Sequence, residues 1–178
     1  LGISLTVTGV TAALVAFTKS GINTAAEMGN VAQKIGVSVE SLSTLKFAAE
    51  QSNLSFGGLT TGLRLLSRNM VEATQSAGDT REAFKAVGLS ADELKTLSPE
   101  ETLLRITDTF SQAADGASKT ALAMRLFGRS GVELIPFLNQ GREGIERLRA
   151  EAEKLGLKIS TETSKAADDF KNMLDEHE

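Results

Sequence analysis

Two adjacent aspartates, a single histidine and two Gly-x-x-Gly loops are the residues of this chain whose types and spacing could do chemistry. A glycosidase sets one carboxyl group on each side of the scissile bond. Asp168 and Asp169 are neighbours in a helical pattern, where successive side chains point about 100° apart, so they read as part of a solvated face. His177 is next to last, within the run Asp175, Glu176, His177, Glu178, a poor platform for acid–base catalysis. Cysteine is absent, which removes thiolate nucleophiles, disulfides and most zinc sites. "GRSG" (128–131) and "GREG" (141–144) match the loop with which KH modules clamp nucleotides, but that module needs a sheet, and no stretch alternates with period two. "DGASKT" (115–120) echoes a phosphate loop without its GxxxxGK[ST] spacing. The net charge of −4 argues against general phosphate binding, and the lack of Trp and Tyr against sugar clefts and single-strand platforms. The sequence therefore assigns no catalytic, cofactor-binding or metal-ligating residue. It points away from an enzyme, from any cofactor and from a specific nucleic-acid partner.

What remains is architecture. Apolar residues recur with helical period: Leu59, Leu63, Leu66, Met70 and Ala73; Leu103, Ile106, Phe110 and Ala113; Ile145, Leu148, Ala152 and Leu155; Ala166, Phe170, Met173 and Leu174. "SPEE" (98–101) sets Ser98 as a cap, Pro99 at the first helical position and Glu101 where its carboxylate reaches back to the cap amide. The expected fold is all-α: seven or eight short amphipathic helices folded back as an irregular bundle. The expected division is an apolar N-terminal helix region at 1–34 and a helical domain at 35–178, together a piece of a longer chain because residue 1 is leucine.

One corner occurs three times, in "GVSVESLSTL" (36–45), "GLSADELKTL" (88–97) and "GRSGVELIPF" (128–137). In each, glycine (Gly36, Gly88, Gly128) ends one helix in a left-handed conformation, and serine (Ser38, Ser90, Ser130) accepts the first free amides of the next. Glu93 and Glu133 complete capping boxes, which Ser41 does poorly, and Val37 and Leu89 can staple against Leu42 and Leu94. The third corner carries Arg129 at the staple position and Pro136 in the following helix, where it removes an amide and kinks the chain. It is expected to be the softest of the three, a hinge from which "LIPFL" swings out.

Charge gathers in the C-terminal third. Glu143–Arg147, Glu146–Arg149 and Arg149–Glu153 are spaced to pair on one helix surface. Arg125, Arg129, Arg142, Arg147 and Arg149 form the only basic concentration, interleaved with acids. At the other end, "LGISLTVTGVTAALVAF" carries no charge before Lys19. It is shorter than the roughly 20 residues of a membrane span, lacks a basic leader, and reads as a buried or partner-covered helix. Membrane contact through residues 3–17 is the alternative.

From about residue 25 to 170 the chain resembles the N-terminal region of tail tape measure proteins of long-tailed bacteriophages and prophages. The order "AAEMGNVAQKIGVSVESLSTLKFAAEQSN", "GLTTGLRLLSRNMVEA", then "AFKAVGLSADELKTLSPEETLLRITDTFSQAADG" carries it, and "ALAMRLFGRSGVELIPFLNQG" (121–141) is its most specific block. The resemblance implies a virion structural protein that lies in the tail tube lumen, templates tube polymerisation to a set length and leaves ahead of the DNA. It implies self-association, partners among tail tube proteins, tail tip proteins and tail assembly chaperones, and residence in the host bacterial cytoplasm during assembly. Sixteen glycines and three corners make a poor continuous rod, so this region is expected to be a folded or docking part beside the ruler. Two other classes compete on sequence grounds: a membrane-perturbing helical protein, and a bacterial helical adaptor unrelated to phage. A wall-cleaving domain, which tape measures can carry, fits poorly with the missing aromatics, cysteine and usable histidine.

Overall fold

A computed structural model describes residues 19–175 of the chain, and the opening apolar segment 3–17 and His177 lie outside the described residues. Every regular element among the described residues is helical: α1 Lys19–Ile35, α2 Val39–Gln51, α3 Phe56–Gln75, α4 Asp79–Ala86, α5 Ala91–Leu94, α6 Pro99–Gln112, α7 Ala117–Phe127, α8 Gly131–Leu138, α9 Gly141–Lys154 and α10 Thr161–Asp175. That is ten helices where seven or eight were expected. Two further boundaries are written in a variant of the Gly-x-Ser corner. Asn53 takes the left-handed conformation (φ 58) before the cap Ser55, whose hydroxyl accepts from Gly58 N at 3.1 Å. Gly156 (φ 72) ends α9, and Ser160 accepts from Thr163 N at 3.1 Å to start α10.

At four ends the same six-to-one bond closes the turn. Val37 N donates to Ala32 O, Leu54 N to Ala49 O, Leu89 N to Phe84 O and Leu157 N to Ala152 O, at 2.9–3.1 Å. Each is the Schellman pattern, which leaves the following apolar residue facing the helix just ended. Val37, Leu54 and Leu89 are thereby folded into the core.

The faces meet around α3. Leu59, Leu63, Leu66, Met70 and Ala73 are all buried, together with Leu103, Ile106 and Phe110 of α6 and Leu134, Phe137 and Leu138 of α8. Full burial of a Leu or Phe side chain contributes about 1.5–3 kcal/mol, so this set is a substantial part of the drive to fold. Met28, Ala32 and Ile35 of α1 join that core, so the described part of the 1–34 region packs with the rest.

Three expected faces differ at their ends. Ala113 is exposed beyond α6 because the chain turns out after Gln112. Leu155 is 59% exposed because α9 stops at Lys154. On α10 the expected stripe is turned away from the protein: Phe170 and Met173 are 42% and 51% exposed, and Ser164 and Ala167 are buried instead. The partner surface on α1 consists of Ala25, Ala26 and Gly29, and close approach of small residues leaves no space for a Phe.

Candidate functional site

The block 121–141 contributes to the main core. Within it Ala123, Leu126, Phe127, Leu134, Phe137 and Leu138 are each at most 1% exposed. Two of the three Gly-x-Ser corners have the expected geometry. Gly36 (φ 82) and Gly88 (φ 77) are left-handed. Ser38 Oγ accepts from Ser41 N at 3.0 Å, and Ser90 Oγ accepts from Glu93 N at 3.2 Å. Glu93 Oε2 accepts from Ser90 N at 2.9 Å, closing the capping box and holding the Glu93 carboxyl below the usual glutamate range. Ser41 does not complete a box; its hydroxyl lies 3.4 Å from the Arg149 guanidinium.

The third corner is built differently, and Ser130 and Glu133 do not play the roles assigned to them. Ser130 is already helical (φ −74, ψ −4) and its side chain caps nothing. A hydroxyl can accept the N2 or N3 amide only when its own residue is extended, so Glu133 N donates instead to Ser130 O at 3.0 Å. Gly128 has φ 74 but ψ −168, a combination that belongs almost exclusively to glycine and lies outside the left-handed helical well. Arg129 is exposed and staples nothing.

Two residues absent from the sequence expectation hold this corner. Gly131 sets its backbone directly on the Ala123 carbonyl, so a β-carbon there would meet Ala123 O and come within 2.6 Å of Ala123 C. Asn69, buried on α3, donates from Nδ2 to Arg125 O at 3.2 Å and Leu126 O at 3.0 Å, satisfying carbonyls that the end of α7 leaves free. Gly128 also faces Leu65, whose Cδ1 lies 2.7 Å from a β-carbon built there, whereas Gly36 and Gly88 have nothing within 4 Å. The third corner is therefore the most tightly enclosed of the three, where a looser one was expected. Pro136 is exposed, and α8 runs through it from Gly131 to Leu138.

Beside this corner lies a tier of ion pairs. Arg142 donates to Glu101 Oε1 at 2.7 Å and Oε2 at 3.2 Å, and its Nε lies 3.3 Å from Asp108 Oδ2. Arg142 N donates to Asp108 Oδ1 at 3.1 Å, so a carboxylate from α6 caps α9. Glu101 consequently does not reach back to its own cap; the Arg142 guanidinium holds its carboxyl below the ordinary value of 4.5. Arg149 forms only one of its two expected local pairs, with Glu146 at 3.2 Å, and turns inward to Glu100 at 2.8 Å and Thr44 Oγ1 at 3.1 Å. Among the described residues neither Glu143–Arg147 nor Arg149–Glu153 forms; Glu153 pairs with Lys158 at 2.8 Å. Two of the five arginines of the basic concentration are thus neutralised within the fold.

The other candidates are not brought together. Asp169 pairs with Lys165 at 3.0 Å, while Asp168 accepts from Asn30 at 3.5 Å. Lys119 of "DGASKT" is buried and donates to Ala113 O at 2.8 Å and Asp115 at 2.9 Å, closing the end of α6. The amide of "GREG" that would meet a phosphate is spent on Asp108. Among the described residues no cluster of His, Asp and Glu could hold a metal ion, and no helix is long and apolar enough to cross a membrane. A cleft of about 210 Å³ includes Met28, Lys46, Phe47, Glu50, Leu157 and Lys158 in its lining; Lys46 pairs with Glu50 at 2.9 Å, and Lys158 with Glu153 at 2.8 Å.

No protein-family profile, curated protein or solved structure matches the chain.

Proposed function

We propose that this chain is the folded N-terminal part of a phage or prophage tail tape measure protein, an irregular helical bundle with a structural rather than a catalytic role. The observation that carries the reading is the resemblance itself, whose most specific block, residues 121–141, places Ala123, Leu126, Phe127, Leu134, Phe137 and Leu138 in the main core.

Dimensions agree with a docking part beside a ruler. At about 1.5 Å per residue, the longest described helix, α3 with 20 residues, spans only about 30 Å before the chain folds back. In this reading the chain lies in the tail tube lumen of the virion, and in the host cytoplasm during assembly, with tube, tip and assembly-chaperone proteins as partners and further copies of itself alongside. Peptide mass spectrometry of purified tails before and after triggered DNA release tests it. Peptides from residues 25–170 are expected in intact tails and depleted from emptied ones; tails containing none of them overturn the proposal.

A further inference from the structure

The last helix is attached unlike the others. α2 to α9 share one core, with Leu134 and Phe137 of α8 at most 1% exposed. α10 contributes only Ala167 to a separate small cluster with Ala25 and Ala26, flanked by Ile22 and Ile159. Burying alanines yields far less than burying Leu or Phe, so polar contacts must carry more of its attachment. Among the described residues α1 supplies Asn30, which donates to Asp168 at 3.5 Å. Glu40 of α2 accepts from Thr161 N at 2.6 Å and Thr161 Oγ1 at 3.1 Å; Ser43 accepts from Ile159 N at 3.0 Å; Ser164 donates to Ala25 O at 2.8 Å. The Lys165–Asp169 ion pair is internal to α10 and would survive its release. Residues 155–160 before it are non-helical, with Gly156 at φ 72 and Leu157 41% exposed.

We propose that α10 is a strap that releases from α1 as a unit while α1 to α9 stay folded, with residues 155–160 as its hinge and the Glu40 carboxylate as its catch. A carboxylate on the first amide of a helix both satisfies an orphan donor and meets the positive end of the helix dipole, so its removal weakens docking and helix together. Release uncovers Ile22, Ala25, Ala26 and Gly29 on α1 and frees Phe170 and Met173 to move with the strap. The mechanism does not depend on the tail reading. If that reading also holds, opening of the compact region starts here and not at Gly128.

Native-state hydrogen exchange on the full chain in low urea tests the strap. Amides of α10 are expected to exchange at least roughly tenfold faster than those of α6 and α7, through openings that depend on urea more weakly than global unfolding does, because a sub-global unit exposes less surface. Glu40→Ala should accelerate α10 a further roughly fivefold, the effect of losing a cap. Gly29→Ala places a methyl group against Ser164 Oγ, so it should loosen α10 while improving the helix propensity of α1. Exchange in α6 and α7 should stay unchanged in both. Coincident exchange of α10 with α6 and α7, or variants that shift all three helices equally, overturns the proposal.

Discussion

Gly131→Ala should be among the most damaging single-methyl additions in the chain, although Gly131 is the first residue of a helix and alanine is the better helix former. The new β-carbon would lie 2.6 Å from Ala123 C, closer still to Ala123 O, and 3.1 Å from Met124 N. Ordinary carbon contacts are about 3.5–4.0 Å, so α7 and α8 must part by roughly 1 Å. All the clashing atoms are backbone, so no rotamer change relieves them. Overpacking of this kind costs about 1–3 kcal/mol, and separation also loosens Phe137 and Leu134 against Ala123 and Leu126. Set against about 0.5 kcal/mol of helix propensity, the net loss is about 0.5–2.5 kcal/mol. For a chain of this length that lowers Tm by about 1–10 °C. Gly88→Ala meets nothing within 4 Å and carries only the strain of φ 77, about 1 kcal/mol. Gly57→Ala, in open space within α3, should be neutral or gain a few tenths, on the order of 0.4 kcal/mol. Urea melts followed by circular dichroism rank the three. A Gly131→Ala protein as stable as Gly88→Ala would refute the claim that backbone contact, and not a serine cap, fixes the third corner.

Asn69→Ala should cost about 1–3 kcal/mol, because it strips two buried carbonyls of their donor, while Ser130→Ala, which removes no cap, should change stability by less than about 0.5 kcal/mol; urea midpoints read both. Arg149→Ala should destabilise the fold measurably and Arg147→Ala should not, since only Arg149 reaches Glu100 and Thr44 across helices; thermal melts of the two variants decide it. Thr102→Val should be neutral or stabilising by up to about 1 kcal/mol, because the buried Thr102 hydroxyl has no partner among the described residues. The carboxyl groups of Glu101, Glu93 and Glu40 are all held below 4.5, by the Arg142 guanidinium, by the Ser90 amide and by Glu40's own backbone amide respectively. Depressed carboxyl values stabilise above the unfolded value and lose that contribution as pH falls through the folded ones, so stability should be level above about pH 5 and decline below 4.5. In a pH series of urea melts, Glu101→Gln should flatten part of that decline, and an unchanged slope would show that the Arg142 pair contributes nothing.

Local rules made the corners at Gly36 and Gly88 readable, because each consists of one glycine, one serine and one apolar neighbour acting within a few residues. The α3 face was readable for the same reason: Leu59 to Ala73 repeat without interruption over 15 positions. The third corner was not, since its Gly-x-Ser spelling matches the others while its geometry is dictated by the Ala123 backbone on the helix before it and by Asn69, distant in sequence. Gly131 carried one weak signal, a second glycine three residues after the first. On α10 the periodic stripe Ala166, Phe170, Met173 misled, because burial follows the shape of the opposing surface, and Ala25, Ala26 and Gly29 of α1 admit Ser164 and Ala167 there. Arg149 shows the limit of spacing rules for charge: Glu146 and Glu153 are both in helical register, yet the guanidinium also reaches Glu100 on another helix.

Tail length in particles from the strain that encodes the chain tests the central proposal most directly. Electron microscopy before and after disruption of the reading frame is predicted to show uniform tails replaced by tailless heads or by tails without a set length. Tails of unchanged, uniform length after disruption would contradict the account.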